Sequence, residues 1–160
     1  MSVKNSIDLD DPLAITGTRV LDAPRELVFA AFTEPKHFEK WWGPDGFTTT
    51  TSVFEFRPGG VWRFVMHGPD KRDYQNRITF EVIEPPLRLV YRHGGAADVE
   101  PTDHQVTVTF EDLSGKTKLT WRHLFSSAAE RNRIIATYGA DKGLVQTMSR
   151  LADYVAAQQH

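Results

Sequence analysis

Chemistry in this chain concentrates in its histidines. There are six of them and no cysteine, so neither a thiol nucleophile nor a cysteine-held metal is open to it. His93, His104 and His123 fall in segments where apolar and polar residues alternate. A period of two marks strands whose successive side chains face opposite ways. Counting along each segment puts His93 with Leu89 and Tyr91, His104 with Val106, Val108 and Phe110, and His123 with Leu119, Trp121 and Phe125. Tyr74 and Asn76 share a face with Ile78, Phe80 and Val82 in the same way. Imidazoles, a carboxamide and phenols set into an apolar face must be paired or wetted, because a bare buried polar group costs about 1–3 kcal/mol. A mostly apolar surface with a few convergent polar groups is the usual make-up of a small-molecule site.

Other chemistries fit less well. Three histidines with an open position would suit zinc. No His-x-x-x-His spacing accompanies them, so no metal and no other cofactor is expected. A general base needs a partner to orient it, and no carboxylate shares the inward parity; Asp103, beside His104, points to the opposite face. G-x-S-x-G, P-loop and G-x-G-x-x-G motifs are all missing. No catalytic residue is assigned.

The elements that must carry these side chains follow from periodicity and punctuation. Leu13–Leu21 reads as a first strand, with residues 1–12 a flexible, polar and acidic terminus. Pro24 suits the first turn of a short helix bearing Leu27, Val28, Ala31 and Phe32, and Pro35 opens a second one with Phe38, Trp41 and Trp42. Gly43-Pro44 ends it. From Thr48 to Phe125 six strands follow, separated by turns such as Arg57-Pro58-Gly59-Gly60 and Leu113-Ser114-Gly115-Lys116. Short turns between consecutive strands imply an antiparallel meander. Ser127 and Glu130 form the frame of a capping box, and a helical region runs from there to the end, interrupted near Gly139. Its later part carries Leu144, Met148, Leu151 and Val155 as one apolar stripe. The expected order is one strand, two short helices, six strands and a long C-terminal helix. Residues 13–158 form a single α+β domain, in which the long helix lies over a curved antiparallel sheet of about six or seven strands.

Bulk composition narrows the partners. The 160 residues carry a net charge of −2 and no Lys/Arg run, which disfavours nucleic acid and anionic membranes. No stretch nears the ~20 apolar residues of a membrane span, and the polar start lacks a secretory h-region. A cytoplasmic protein is expected.

Val28-Phe29-Ala30-Ala31-Phe32-Thr33-Glu34-Pro35 followed by Trp41-Trp42-Gly43-Pro44 resembles the START-like (Bet v 1-like, SRPBCC) superfamily. More narrowly it resembles the branch related to the activator of the 90-kDa heat-shock protein ATPase. Arg57-Pro58-Gly59-Gly60-Val61-Trp62-Arg63-Phe64, His67-Gly68-Pro69-Asp70 and Glu84-Pro85-Pro86-Leu87-Arg88-Leu89-Val90-Tyr91 extend the match, so that it covers nearly the whole chain after the first dozen residues. The resemblance implies a helix-grip fold with a cavity between sheet and long helix. Members of the superfamily bind lipids, sterols, polyketides or other apolar ligands, and some are cyclases or hydrolases, with no universal catalytic residue.

Residues and resemblance together give three expectations. The first is a non-catalytic binder of a small apolar molecule, a lipid, polyketide or aromatic compound. Its cavity is lined by Trp41, Trp62, Phe64, Met66, Tyr74, Asn76, Ile78, Tyr91, His93, His104, Val106, Val108, Trp121, His123, Leu144, Met148 and Leu151. Trp41 and Trp42 carry the blander reading of core or of an end-closure for that cavity. The second is a regulator that works with a chaperone. The third is a cyclase- or hydrolase-like enzyme using cavity His and Tyr. A homodimer is compatible with all three.

Overall fold

The computed structural model describes residues 6–95 and 104–158. Strand β1 spans Ser6–Asp8 and β2 Ala14–Leu21. Helices α1 (Arg25–Ala30) and α2 (Pro35–Trp41) follow. Six strands come next: β3 (Thr48–Phe54), β4 (Val61–His67), β5 (Asp73–Glu84), β6 (Arg88–Gly95), β7 (His104–Leu113) and β8 (Lys116–Leu124). Helices α3 (Ala128–Tyr138) and α4 (Ala140–Ala157) complete the chain. All strands pair antiparallel in one sheet, in the order β1-β2-β8-β7-β6-β5-β4-β3. This is the antiparallel α+β arrangement that the alternation called for and the helix-grip fold that the resemblance implied.

The sheet has eight strands because part of the presumed flexible terminus is used: Ser6, Ile7 and Asp8 pair with Thr18, Gly17 and Thr16 on the edge of β2. Ile7 packs against the core, and that burial ties down a segment its polar composition had suggested was loose. The C-terminal helix is two helices, as the glycine foretold. Gly139 sits at φ 62°, ψ 40°, a left-handed conformation that ends α3 and starts α4. Ser127 accepts a bond from the Glu130 amide at 3.0 Å, while the Glu130 carboxylate holds Arg133 at 2.7 Å.

A β-bulge alters one parity reading. The β5–β6 register shifts between Phe80 and Val82, and the extra residue reverses which side chains face inward. Ile83, not Val82, therefore packs against the core.

The core lies between one face of the sheet and α1, α2 and α4. Helix α4 packs closely on the sheet at Gly17 of β2. A Cβ there would stand 2.8 Å from Leu144 Cδ2 and 2.9 Å from Met148 Cε, so the missing side chain is what admits the helix. Arg150 fastens α4 to the segment after α2, its Nη1 donating to the carbonyls of Trp42, Gly43 and Pro44 at 3.2, 2.8 and 3.0 Å. Arg131 does the same for α3, with Nη1 donating to the carbonyls of Leu9, Asp11 and Ala14.

Candidate functional site

The sheet register assembles the polar cluster. His93 on β6 lies opposite His104 on β7 and, on its other side, opposite Ile78 on β5. His123 on β8 lies opposite Val106 of β7, two residues from His104 on the same face. The three imidazoles thus sit side by side at one end of the sheet, with ring centroids 5.7 Å apart for His93–His104 and 5.0 Å for His104–His123. His104 Nε2 and His123 Nδ1 share a hydrogen bond of 2.8 Å. His93 Nε2 bonds Asn76 Oδ1 at 2.9 Å, and Asn76 Nδ2 donates to the Tyr74 carbonyl at 2.9 Å. Nearby, the Trp121 indole donates to the Tyr91 hydroxyl at 3.1 Å, with both side chains buried.

Flat apolar rings flank this cluster, whose Asn76 and three imidazoles are half-buried. The Phe125 ring stacks on His104 at 4.5 Å. Trp42 and Phe64 stand 6.1 and 6.0 Å from the His93 ring, and Trp121 lies 6.3 Å from His123 in a nearly parallel plane. The surroundings hold the imidazoles uncharged. Burial pushes His93 down to about 4. Burial, aided by the neighbouring His93, pushes His123 down to about 3. His104 is lowered by burial first, then by both neighbours. Burial also raises the Tyr91 phenol, against the smaller opposing effect of its Trp121 bond.

The other expected site residues fall into three places. Trp41, Trp62 and Phe64 belong to a ring-on-ring core: Trp62 stacks on Phe38 at 4.1 Å and on Phe64 at 3.9 Å, and Trp41 packs on Phe32 and Phe38. Their polar atoms are satisfied locally, Trp41 Nε1 by the Ala31 carbonyl and Trp62 Nε1 by Thr51 Oγ1. On this side the interior is filled by aromatic rings rather than hollow. Ile78, Tyr91, Val106, Val108 and Trp121 form the buried floor on the sheet, and Leu144, Met148 and Leu151 the buried face of α4. Met66 is half-buried beneath Gly43. Tyr74 stands apart from the cluster: its hydroxyl donates to Asp70 Oδ2 at 2.9 Å in the β4–β5 turn, and its ring lies by Phe47. Its parity is inward, yet a strand end lets the phenol swing to the turn carboxylate. Trp42 and Phe125 were not among the expected lining residues, although each touches the cluster. The signal for Phe125 was its parity with His123. For Trp42 the helical pattern was visible, but not the extended backbone at φ −66°, ψ 133° that closes α2.

The remaining described histidines serve elsewhere. His37 joins α2 to α4, with Nδ1 2.6 Å from the Tyr154 hydroxyl and Nε2 3.3 Å from Glu34. His67 bonds Asp73 and Thr50 at the surface. Among the described residues no group of three or more His, Asp or Glu side chains is placed to hold a metal ion. The His104–His123 nitrogens meet at hydrogen-bonding distance, closer than the ~3.3 Å that two ligands of one tetrahedral zinc would keep. An open apolar groove of about 400 Å³ lies away from the cluster, between α1 and the β5–β6 turn, lined by Glu26, Phe29, Ala30, Thr33, Phe56, Pro85 and Pro86. No helix among the described residues is long and apolar enough to cross a membrane.

Comparison with known proteins places this architecture. A sequence model of the family described as Activator of Hsp90 ATPase homolog 1-like protein matches residues 22–156. Among curated proteins none matches this chain. A protein from Arthrobacter aurescens solved by NMR is 26% identical, with a TM-score of 0.87 over 95% of this chain and 91% of that one. A Mycobacterium smegmatis protein is 24% identical, with a TM-score of 0.81 over 99% and 97% of the two chains. DynU16, described as a putative protein in the dynemicin biosynthetic locus, is 21% identical; the match covers 89% of this chain and 47% of that one at a TM-score of 0.64. The last two likenesses concern the fold alone.

Proposed function

This chain belongs to the family of Activator of Hsp90 ATPase homolog 1-like proteins, and we propose that it holds a small apolar molecule at the imidazole end of its interior without transforming it. The carrying observation is the cluster itself. Asn76, His93, His104 and His123 stand inside a wall of Trp42, Phe64, Trp121 and Phe125, and each imidazole spends only one ring nitrogen on a described residue. The kinship of fold with a protein from a biosynthetic locus supports the same reading. The aromatic core beside the cluster is closely filled, so a guest enters by parting the polar end. Helix α3 has no fully buried side chain, packs on α4 and β2, and ends at the Gly139 break.

Imidazoles held near 3 and 4 are weak bases at neutral pH, which favours holding over turnover. The test is native mass spectrometry of freshly purified protein, followed by a thermal-shift screen of lipids, sterols and aromatic compounds. A co-purified small molecule, or stabilisation that grows with ligand concentration, supports the reading. Neither signal with any class defeats it.

A second reading, regulation of a chaperone ATPase, draws on the family description and on one surface feature. Arg63 and Arg77 face each other across β4 and β5 on the outer side of the sheet. Like charges directly opposite are unfavourable, and an acidic partner surface would relieve them. Stimulation of a 90-kDa heat-shock protein ATPase by the protein, lost in R63E/R77E, is the expected result under that reading.

A further inference from the structure

Resting on the binding reading above, we infer that the imidazole end selects a neutral hydrogen-bond donor, a hydroxyl carried on a flat apolar body, and turns away carboxylates. The constraint begins at Asn76. Its Nδ2 donates to the Tyr74 carbonyl at 2.9 Å, and a carbonyl can only accept, so the carboxamide has one orientation and Oδ1 is the atom turned to His93. Oδ1 also only accepts. His93 Nε2, 2.9 Å away, must therefore carry the proton, and a neutral imidazole protonated there has a lone pair on Nδ1. That lone pair meets no described residue. It calls for a donor.

The His104–His123 pair adds a complementary property. Whichever nitrogen donates across the 2.8 Å bond, a neutral pair leaves one donor and one acceptor at its two outer nitrogens, His104 Nδ1 and His123 Nε2. A hydroxyl both donates and accepts, so it can satisfy His93 Nδ1 and one end of the pair together. A carboxylate has no proton for His93 and would set acceptor against acceptor. An ammonium ion could donate, but no Asp or Glu among the described residues bonds or packs on the three imidazoles, and an ion taken from water without a counter-charge is costly. The walls fit a planar body: Phe125 stacks on His104, and Trp42 and Phe64 flank His93.

The experiment uses the full chain and three probes of one shape: naphthol, methoxynaphthalene and naphthoate, titrated by calorimetry at neutral pH. Naphthol is expected to bind, with the other two weaker by about tenfold or more, since each displaces solvent from the half-buried His93 Nδ1 without returning a donor to it. Equal or tighter binding of methoxynaphthalene or naphthoate overturns donor selectivity while leaving the binding reading intact. Binding of none of the three overturns the inference, while the binding reading then stands or falls by the lipid and sterol screen. Long-range proton–nitrogen NMR on the unliganded protein gives a second readout that needs no ligand: His93 should show its proton on Nε2 and an unprotonated Nδ1. The opposite tautomer overturns the inference without touching the binding reading.

Discussion

The interior has two halves built on the same sheet, and they follow opposite rules. Toward α2, Phe38, Trp41, Trp62 and Phe64 pack ring against ring, and the Trp41 and Trp62 indole N–H groups find local acceptors. Toward the far ends of β6, β7 and β8, the same inward positions carry His93, His104 and His123, whose bonds run mainly to one another and to Asn76. The first half contributes burial, worth about 1.5–3 kcal/mol for each large apolar side chain taken from water. The second gives up some of that stabilisation, because half-buried polar groups gain little net from pairing, and retains instead a set of donors and acceptors not spent on described residues. Stability resides in one half, and the proposed recognition rests on the other.

Substitutions can separate the two. The largest effect should come from Trp62→Ala, which removes a fully buried ring with two stacked partners. We expect a loss of about 3–5 kcal/mol in urea unfolding. A loss under 1 kcal/mol would mean that this half is not the stabilising one. Next, Tyr91→Phe strips the acceptor from the buried Trp121 N–H and should cost about 1–3 kcal/mol, while a fluorescence shift of the tryptophans reports the change locally. Gly17→Ala pushes a methyl against Leu144 and Met148. It should cost a similar or smaller amount, about 1–3 kcal/mol, with helix α4 shifted on the sheet in a crystal structure of the variant.

Acid separates the halves without mutation. His93 and His123 are depressed to about 4 and 3 by burial, whereas unfolded histidines titrate near 6.5. Between those values the unfolded chain binds more protons than the folded one, so stability rises with pH through the window and is level above it. Unfolding midpoints should therefore be flat from pH 8 to roughly 6.5 and fall as the pH drops toward 4. The smallest stability effect belongs to the double variant H104L/H123L. Replacing both partners of a bond by apolar groups of similar shape can be nearly neutral, so its neutral-pH stability should lie within about 1 kcal/mol of the parent. Its acid sensitivity should shrink and ligand binding should disappear. Unchanged binding in that variant would place the site elsewhere.

Much of this was legible along the chain. Alternation in Trp62–Phe64, Val106–Phe110 and Leu119–Trp121 put the right residues inside, and Gly139 marked the helix break. The readings that failed did so where local pattern was outweighed by a distant partner. Residues 6–8 looked loose and were tied down by pairing with β2. Tyr74 had inward parity but found Asp70 across a turn. Val82 lost its place to Ile83 through a bulge that alternation alone does not reveal.

Residue order determined which side chains share a face, because the two-residue period of a strand is a property of the backbone itself. It also determined that imidazoles would lie among apolar neighbours. Tertiary structure alone decided which imidazole meets which. That choice depends on the register between β6, β7 and β8, and on an amide oriented by a carbonyl two residues away. Hydrogen bonds and ring contacts a few ångströms long join positions that lie far apart in the chain, and only the folded sheet brings them within reach.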